Sequence, residues 1–143
     1  MAEISIMVFA AGFGRRMGAL TQDRPKPLLE VCGEPLIDHA LALVGGIEKA
    51  QVVINVHYKH DMLQAHLSNK PVKISCELPD VLETGGGLKA ALHMLQTNPV
   101  ITLNSDAIWA GENPLKELIE HWDGSRMDGL LLCIQPSQKY GHN

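Results

Sequence analysis

Nowhere does this chain carry the roughly 18 consecutive apolar residues that a membrane span requires. Nor does a basic segment precede an apolar one at its start, where Glu3 stands. A membrane partner and a secretory leader are therefore not expected, and the expected compartment is the cytoplasm. Positive charge is also in deficit, with 12 Lys and Arg against 16 Asp and Glu and a formal net charge of −4. That balance argues against broad binding to nucleic acid or to an anionic membrane surface. Cysteine is scarce: Cys32, Cys76 and Cys133 are odd in number, widely spaced and free of any CxxC pair. They are expected to be buried small apolar residues in a reducing compartment. His57 and His60 have no third ligand near them in sequence, so no zinc site is assigned. Ser105 lacks the G-x-S-x-G elbow of a nucleophilic serine.

What is present reads as one α/β domain over residues 1–143, with 45% hydrophobic and 20% charged residues. Apolar runs at Ile4–Ala10, Gln51–Val56, Val72–Cys76, Pro99–Leu103 and Gly129–Ile134 predict five strands. Between them, helical stripes fall on Leu36/Ala40/Leu43/Val44, on Leu63/Leu67 within Lys59–Leu67, on Leu88/Ala91/Leu92/Leu95 and on Leu115/Leu118/Ile119/Trp122. Strict alternation predicts a Rossmann-like, mostly parallel sheet with helices on both faces and right-handed crossovers. After Ile134 the chain turns polar through Asn143 with nothing to pack on the fifth strand, as expected of a C-terminally incomplete domain. An uncovered apolar edge strand tends to find a partner, so a second copy of the chain is a candidate partner.

The densest chemistry follows the first strand: Ala10-Ala11-Gly12-Phe13-Gly14-Arg15-Arg16-Met17, then Arg24-Pro25-Lys26-Pro27. Glycines let backbone amides approach a ligand, and open α/β sheets bind ligands at this end of a strand. The cations Arg15, Arg16 and Lys26 are joined by no carboxylate before Asp23, and prolines stiffen both sides of Lys26. The pattern describes a phosphate cradle. A dinucleotide fingerprint is disfavoured because Met17 occupies the third glycine position, and no Gly-Lys-Ser/Thr ending of a Walker loop occurs. A second glycine-rich turn, Glu83-Thr84-Gly85-Gly86-Gly87, opens the third helix and is read as a ligand turn. A flexible helix start capped by Thr84 is its plain alternative. Asn104-Ser105-Asp106 closes the fourth strand. Asp106 there is either a turn cap or, with phosphates supplying further oxygens, a Mg2+ ligand, and the neighbouring cations favour the metal.

Together these residues resemble the sugar-phosphate nucleotidyltransferase family, whose signature Ala-Ala-Gly-x-Gly-x-Arg-Met/Leu, Leu-Thr, Pro-Lys-Pro is matched through Met17, Leu20-Thr21 and Pro25–Pro27. The Glu-Thr-Gly-Gly-Gly form is most similar to its uridylyltransferase branch acting on N-acetylmuramate 1-phosphate in bacterial cell-wall recycling. The resemblance implies catalytic roles for Arg16 on the β/γ-phosphates, Lys26 on the α-phosphate and Asp106 on Mg2+. It further implies nucleotide contacts from Ala11, Gly12, Gly14, Arg15 and Asn104, and base contacts from Glu77, Gly85 and Gly86. The implied substrates are a nucleoside triphosphate, UTP favoured, and a sugar 1-phosphate, with GTP, dTTP or CTP as alternatives. The family's sugar-phosphate lysine and second metal aspartate have no counterpart in these residues. A catalytically incomplete nucleotide-binding or regulatory module is therefore the competing reading.

Overall fold

The computed structural model describes residues 3–135. Ile4–Phe9 (β1) is apolar except at Ser5, and its four central residues are buried. A strand buried on both faces belongs in the middle of a parallel sheet. Here β1 pairs in parallel with Ala50–Val56 (β4) on one side and Val100–Asn104 (β6) on the other. Beyond β4 lies Lys73–Cys76 (β5), so the order is β5-β4-β1-β6 and the two outer strands are edges. Glu30–Val31 (β2) and Glu34–Pro35 (β3) form a separate antiparallel hairpin that sequence periodicity did not anticipate.

Alternate residues of β1 serve two cores, as the pleat requires. Ile6 and Val8 join Ile37, Ala40 and Val44 of Leu36–Gly45 (α1), Leu63 and Leu67 of His60–Leu67 (α2), and Leu115 of Pro114–His121 (α4). Met7 on the opposite face meets Val53, Ala91 and Leu95, with Ala91 ending Glu83–Ala91 (α3). Helices therefore cover both faces, three on one and α3 on the other. Asn113 ties α4 to α1: its Oδ1 accepts the Leu115 N–H as an N-cap while its Nδ2 donates to the Leu43 carbonyl at 2.7 Å. None of the described helices is long and apolar enough to cross a membrane.

Three expectations are corrected. Gly129–Ile134 is not a strand: residues 129–135 pair with no other described residues, and Leu131 and Ile134 are 86% and 75% exposed. Among the described residues the sheet ends on that side at β6. The rest of the polar run lies, from residue 136, outside the described residues. All three cysteines are exposed. Cys32 and Gly33 both take positive φ, 54° and 82°, as the tip of the two-residue β2–β3 turn, and Cys76 ends the edge strand β5. The glycines are not a loop ahead of α3 but part of it, since the helix begins at Glu83 and ends at Ala91; Leu92 is half exposed.

Candidate functional site

A cleft of about 460 Å3 opens at the C-terminal ends of the strands. One wall is the loop after β1, from Ala10 to Met17, with Lys26 and Pro27 beside it. Asn104 to Asp106 at the end of β6 form a second wall, and Asn55, Glu77, Val81, Glu83 and Thr84 a third. The cleft thus gathers Ala11, Gly12, Gly14, Arg15, Arg16, Lys26, Glu77, Asn104 and Asp106 from four separate stretches of sequence. Gly85 and Gly86 follow Thr84 in the first turn of α3 and are not among the lining residues.

The phosphate-type loop is held by its own chain. Gly14 takes φ +65°, a conformation that favours glycine, and a Cβ there would also crowd Lys26 Cβ and Thr21 Cγ2 at 3.0 Å. Around Gly12, by contrast, nothing lies within 4 Å of where a Cβ would be, so protein packing does not demand a glycine there. A turn of 3-10 helix over Arg15–Thr21 returns the chain, and the buried Thr21 hydroxyl donates to the Gly14 carbonyl at 3.1 Å. Tyr58 OH in turn donates to the Thr21 carbonyl at 2.8 Å. Phe13 packs edge-on against His57 and tilted against Tyr58, and the Arg15 guanidinium lies 4.8 Å from its ring centroid. Arg15 is thereby engaged with an aromatic face. Arg16 lines the cleft and is exposed.

Lys26 and Asp106 lie 80 residues apart in sequence, yet Lys26 Nζ donates to Asp106 Oδ2 at 2.6 Å. Pro25, buried and extended, and Pro27 inside a short 3-10 turn fix the lysine backbone on both sides. Ser105 is buried and structural: its hydroxyl donates to the Phe9 carbonyl at 2.7 Å, locking β6 to β1 just before Asp106. Among the described residues no cluster of three or more His, Cys, Asp or Glu side chains could enclose a metal by itself. The partly exposed Asp106 carboxylate, whose Oδ2 already accepts from Lys26, suits a divalent cation held mainly by substrate phosphates and water.

Sequence reasoning missed Asn55. Its Oδ1 accepts the Ala10 N–H and its Nδ2 donates to Glu77 Oε1, each at 2.8 Å and buried. The only signal was a lone amide inside the apolar β4 run Val52–Val56. Glu77 lies only 2% exposed, and its Oε2 accepts the Leu82 N–H at 2.8 Å.

A glycine-and-arginine loop after the first strand thus faces a lysine–aspartate pair at the end of the neighbouring strand across one cleft. The chain belongs to the MobA-like NTP transferase domain family, whose pattern it matches over residues 6–142. It is 42% identical to an N-acetylmuramate alpha-1-phosphate uridylyltransferase of Caulobacter vibrioides, over 94% of this chain and 60% of that protein. A mannose-1-phosphate guanyltransferase of Hypocrea jecorina is 29% identical over 94% of this chain and 39% of its own length. The chain therefore spans about 60% or less of these relatives. In fold it is similar to a nucleotidyl transferase from Methanothermobacter thermautotroptrophicus, with a TM-score of 0.73 at 22% identity, covering 87% of this chain and 60% of that one. HddC from Yersinia pseudotuberculosis, solved with GMP-PN, has a TM-score of 0.68 at 23% identity over 87% of this chain and 55% of that one.

Proposed function

We propose that this chain is the nucleotide-binding part of a domain that transfers UMP from UTP to a sugar 1-phosphate such as N-acetylmuramate 1-phosphate, releasing pyrophosphate. The observation that carries the reading is the convergence of Lys26 and Asp106, 2.6 Å apart, on the cleft of the glycine loop. The uridylyl and N-acetylmuramate assignments lean on the relative at 42% identity. Backbone amides from Ala11 to Gly14 wrap the triphosphate, and Arg16 meets the charge that develops on the departing pyrophosphate. Lys26 orients the α-phosphate for in-line attack by a sugar 1-phosphate oxygen, while Arg15 supports the loop from the Phe13 ring. Asp106, with Asn104 beside it, would hold Mg2+, which neutralises phosphate charge when bound. Glu77 belongs to the base side of the cleft, with Gly85 and Gly86 in the first turn of α3 behind the Thr84 wall.

The relatives named as guanyltransferases favour one second reading, the same chemistry with GTP. Thermal shift of this chain with UTP, GTP, dTTP, CTP and ATP, each with Mg2+, separates the two, because a ligand of the folded state raises its melting temperature. UTP is expected to give the largest shift. Asp106→Asn should keep the fold and lose the Mg2+-dependent part of that shift. Transfer itself is read as pyrophosphate release from the complete gene product given a sugar 1-phosphate. No shift with any triphosphate would refute the reading.

A further inference from the structure

The loop after β1 runs out and back as two limbs, and one side chain outside the cleft touches both. Tyr58 stands in the turn after β4 and is not among the residues lining the cleft. Its ring packs on Phe13 of the outgoing limb, with centroids 5.6 Å apart, and its hydroxyl donates to the Thr21 carbonyl of the returning limb at 2.8 Å. No backbone N–H among the described residues donates to that carbonyl. The turn is itself tied to the sheet, because His57 Nδ1 donates to the Glu77 carbonyl at 2.6 Å.

Thr21 passes the constraint on. Its buried hydroxyl reaches the carbonyls of Gly14 at 3.1 Å and Gly18 at 3.3 Å, the two residues at which the loop turns with positive φ. The Met17 N–H donates to the same Gly14 carbonyl at 2.9 Å. In a trans peptide the following N–H points opposite to the carbonyl, so a Gly14 carbonyl held against Thr21 turns the Arg15 N–H the other way. Left-handed Gly14 followed by helical Arg15 is also the backbone pairing whose successive N–H groups form an anion-binding concavity. No backbone carbonyl among the described residues takes the N–H of Gly14, Arg15 or Arg16.

We propose that Tyr58 is a positioning residue for the β- and γ-phosphates. Through Thr21 it fixes the Gly14–Arg15 peptide and so aims the loop amides, without touching the nucleotide itself. The inference rests on the nucleotide-binding reading and deepens it. Amides aimed before the ligand arrives need no reordering when it binds, and a loop pinned on both limbs keeps that aim.

Tyr58→Phe keeps the ring on Phe13 and deletes the bond to Thr21, while Thr21→Val deletes the hydroxyl at nearly constant shape. Thr21→Ser keeps the hydroxyl and loses only the methyl. UTP with Mg2+, measured by calorimetry on this chain, should bind roughly three- to tenfold more weakly to Tyr58→Phe and to Thr21→Val, the range that one lost hydrogen bond implies. UMP has no β- or γ-phosphate and should bind both variants as it binds the wild type. Thr21→Ser should keep most of the UTP affinity.

Equal losses for UTP and UMP would overturn the proposal, since general loosening of the fold weakens both. Unchanged UTP affinity in Tyr58→Phe would do the same. So would a Thr21→Ser variant as weak as Thr21→Val, because the methyl and not the hydroxyl would then hold the loop. Should Tyr58→Phe fail to fold, Thr21→Val set against Thr21→Ser makes the same comparison. Wild-type protein that binds no triphosphate would instead refute the nucleotide reading, and this one with it.

Discussion

Two adjacent arginines in one loop have different surroundings. Both are exposed along the cleft, but Arg15 lies over the Phe13 ring, 4.8 Å from its centroid, and among the described residues Arg16 has no such aromatic partner. In the complete gene product Arg16→Ala is expected to lower turnover by on the order of 10²–10³, the usual loss for one preorganised transition-state donor. Arg15→Ala should cost far less on the proposed reading, in which Arg15 supports the loop from the Phe13 ring. Steady-state kinetics on the two variants checks this, and equal losses would mean that the loop has been misaligned. At this scale most of the cleft was legible in the sequence, because Gly12, Gly14, Arg16, Lys26 and Asp106 carry their chemistry in their own type and spacing. Asn55 was not legible, since its partners Ala10 and Glu77 lie 45 and 22 residues away and no local pattern marks a polar bridge.

The elements show where local pattern misleads. Alanine in place of glycine inside a helix ordinarily stabilises it by about 1 kcal/mol. Gly87→Ala should reverse that sign, because the new Cβ meets the buried Glu77 and Asn55 side chains at under 3 Å. The expected result is a lower melting temperature and weaker triphosphate binding; a raised melting temperature would contradict the packing described. The run of glycines was visible as unusual, but the reason for Gly87 is a tertiary contact and not a ligand. The apolar run Gly129–Ile134 misled in the opposite direction, since apolar composition reports a preference for burial and cannot supply a strand to pair with.

Between α1 and α2 a charged cluster gives the fold a handle on pH. Asp38 sits in α1, with Lys70 Nζ at 2.9 Å and His66 Nε2 at 2.8 Å. Burial raises its pKa, but the hydrogen bonds and charges of Lys70 and His66 outweigh that and hold the carboxyl below its usual 3.8. A carboxylate with a depressed folded pKa contributes stability that is present above the unfolded value and is lost as pH falls through the folded one. Asp38→Asn should therefore destabilise the protein by roughly 1 kcal/mol or less at pH 7. The difference should fade below about pH 4 in thermal melts across pH. A difference independent of pH would show that the cluster contributes by packing alone.

For the whole molecule, the sequence conveyed the parallel sheet and its two-sided cover, because strictly alternating apolar periods leave few other topologies. Strand order was beyond it. In the order β5-β4-β1-β6, β1 alone has the loop of the candidate site at its end and neighbours on both sides. That position has a kinetic consequence. Amides of a central strand that shares both cores exchange with solvent only in the largest openings, whereas edges and exposed segments exchange in local fluctuations. Deuterium uptake should therefore be slowest along Ile6–Val8 and much faster along residues 129–135. Its rise should be abrupt where β1 gives way to Gly12. The loop is thus anchored to the last part of the protein to let go, so that its root keeps the lifetime of the core.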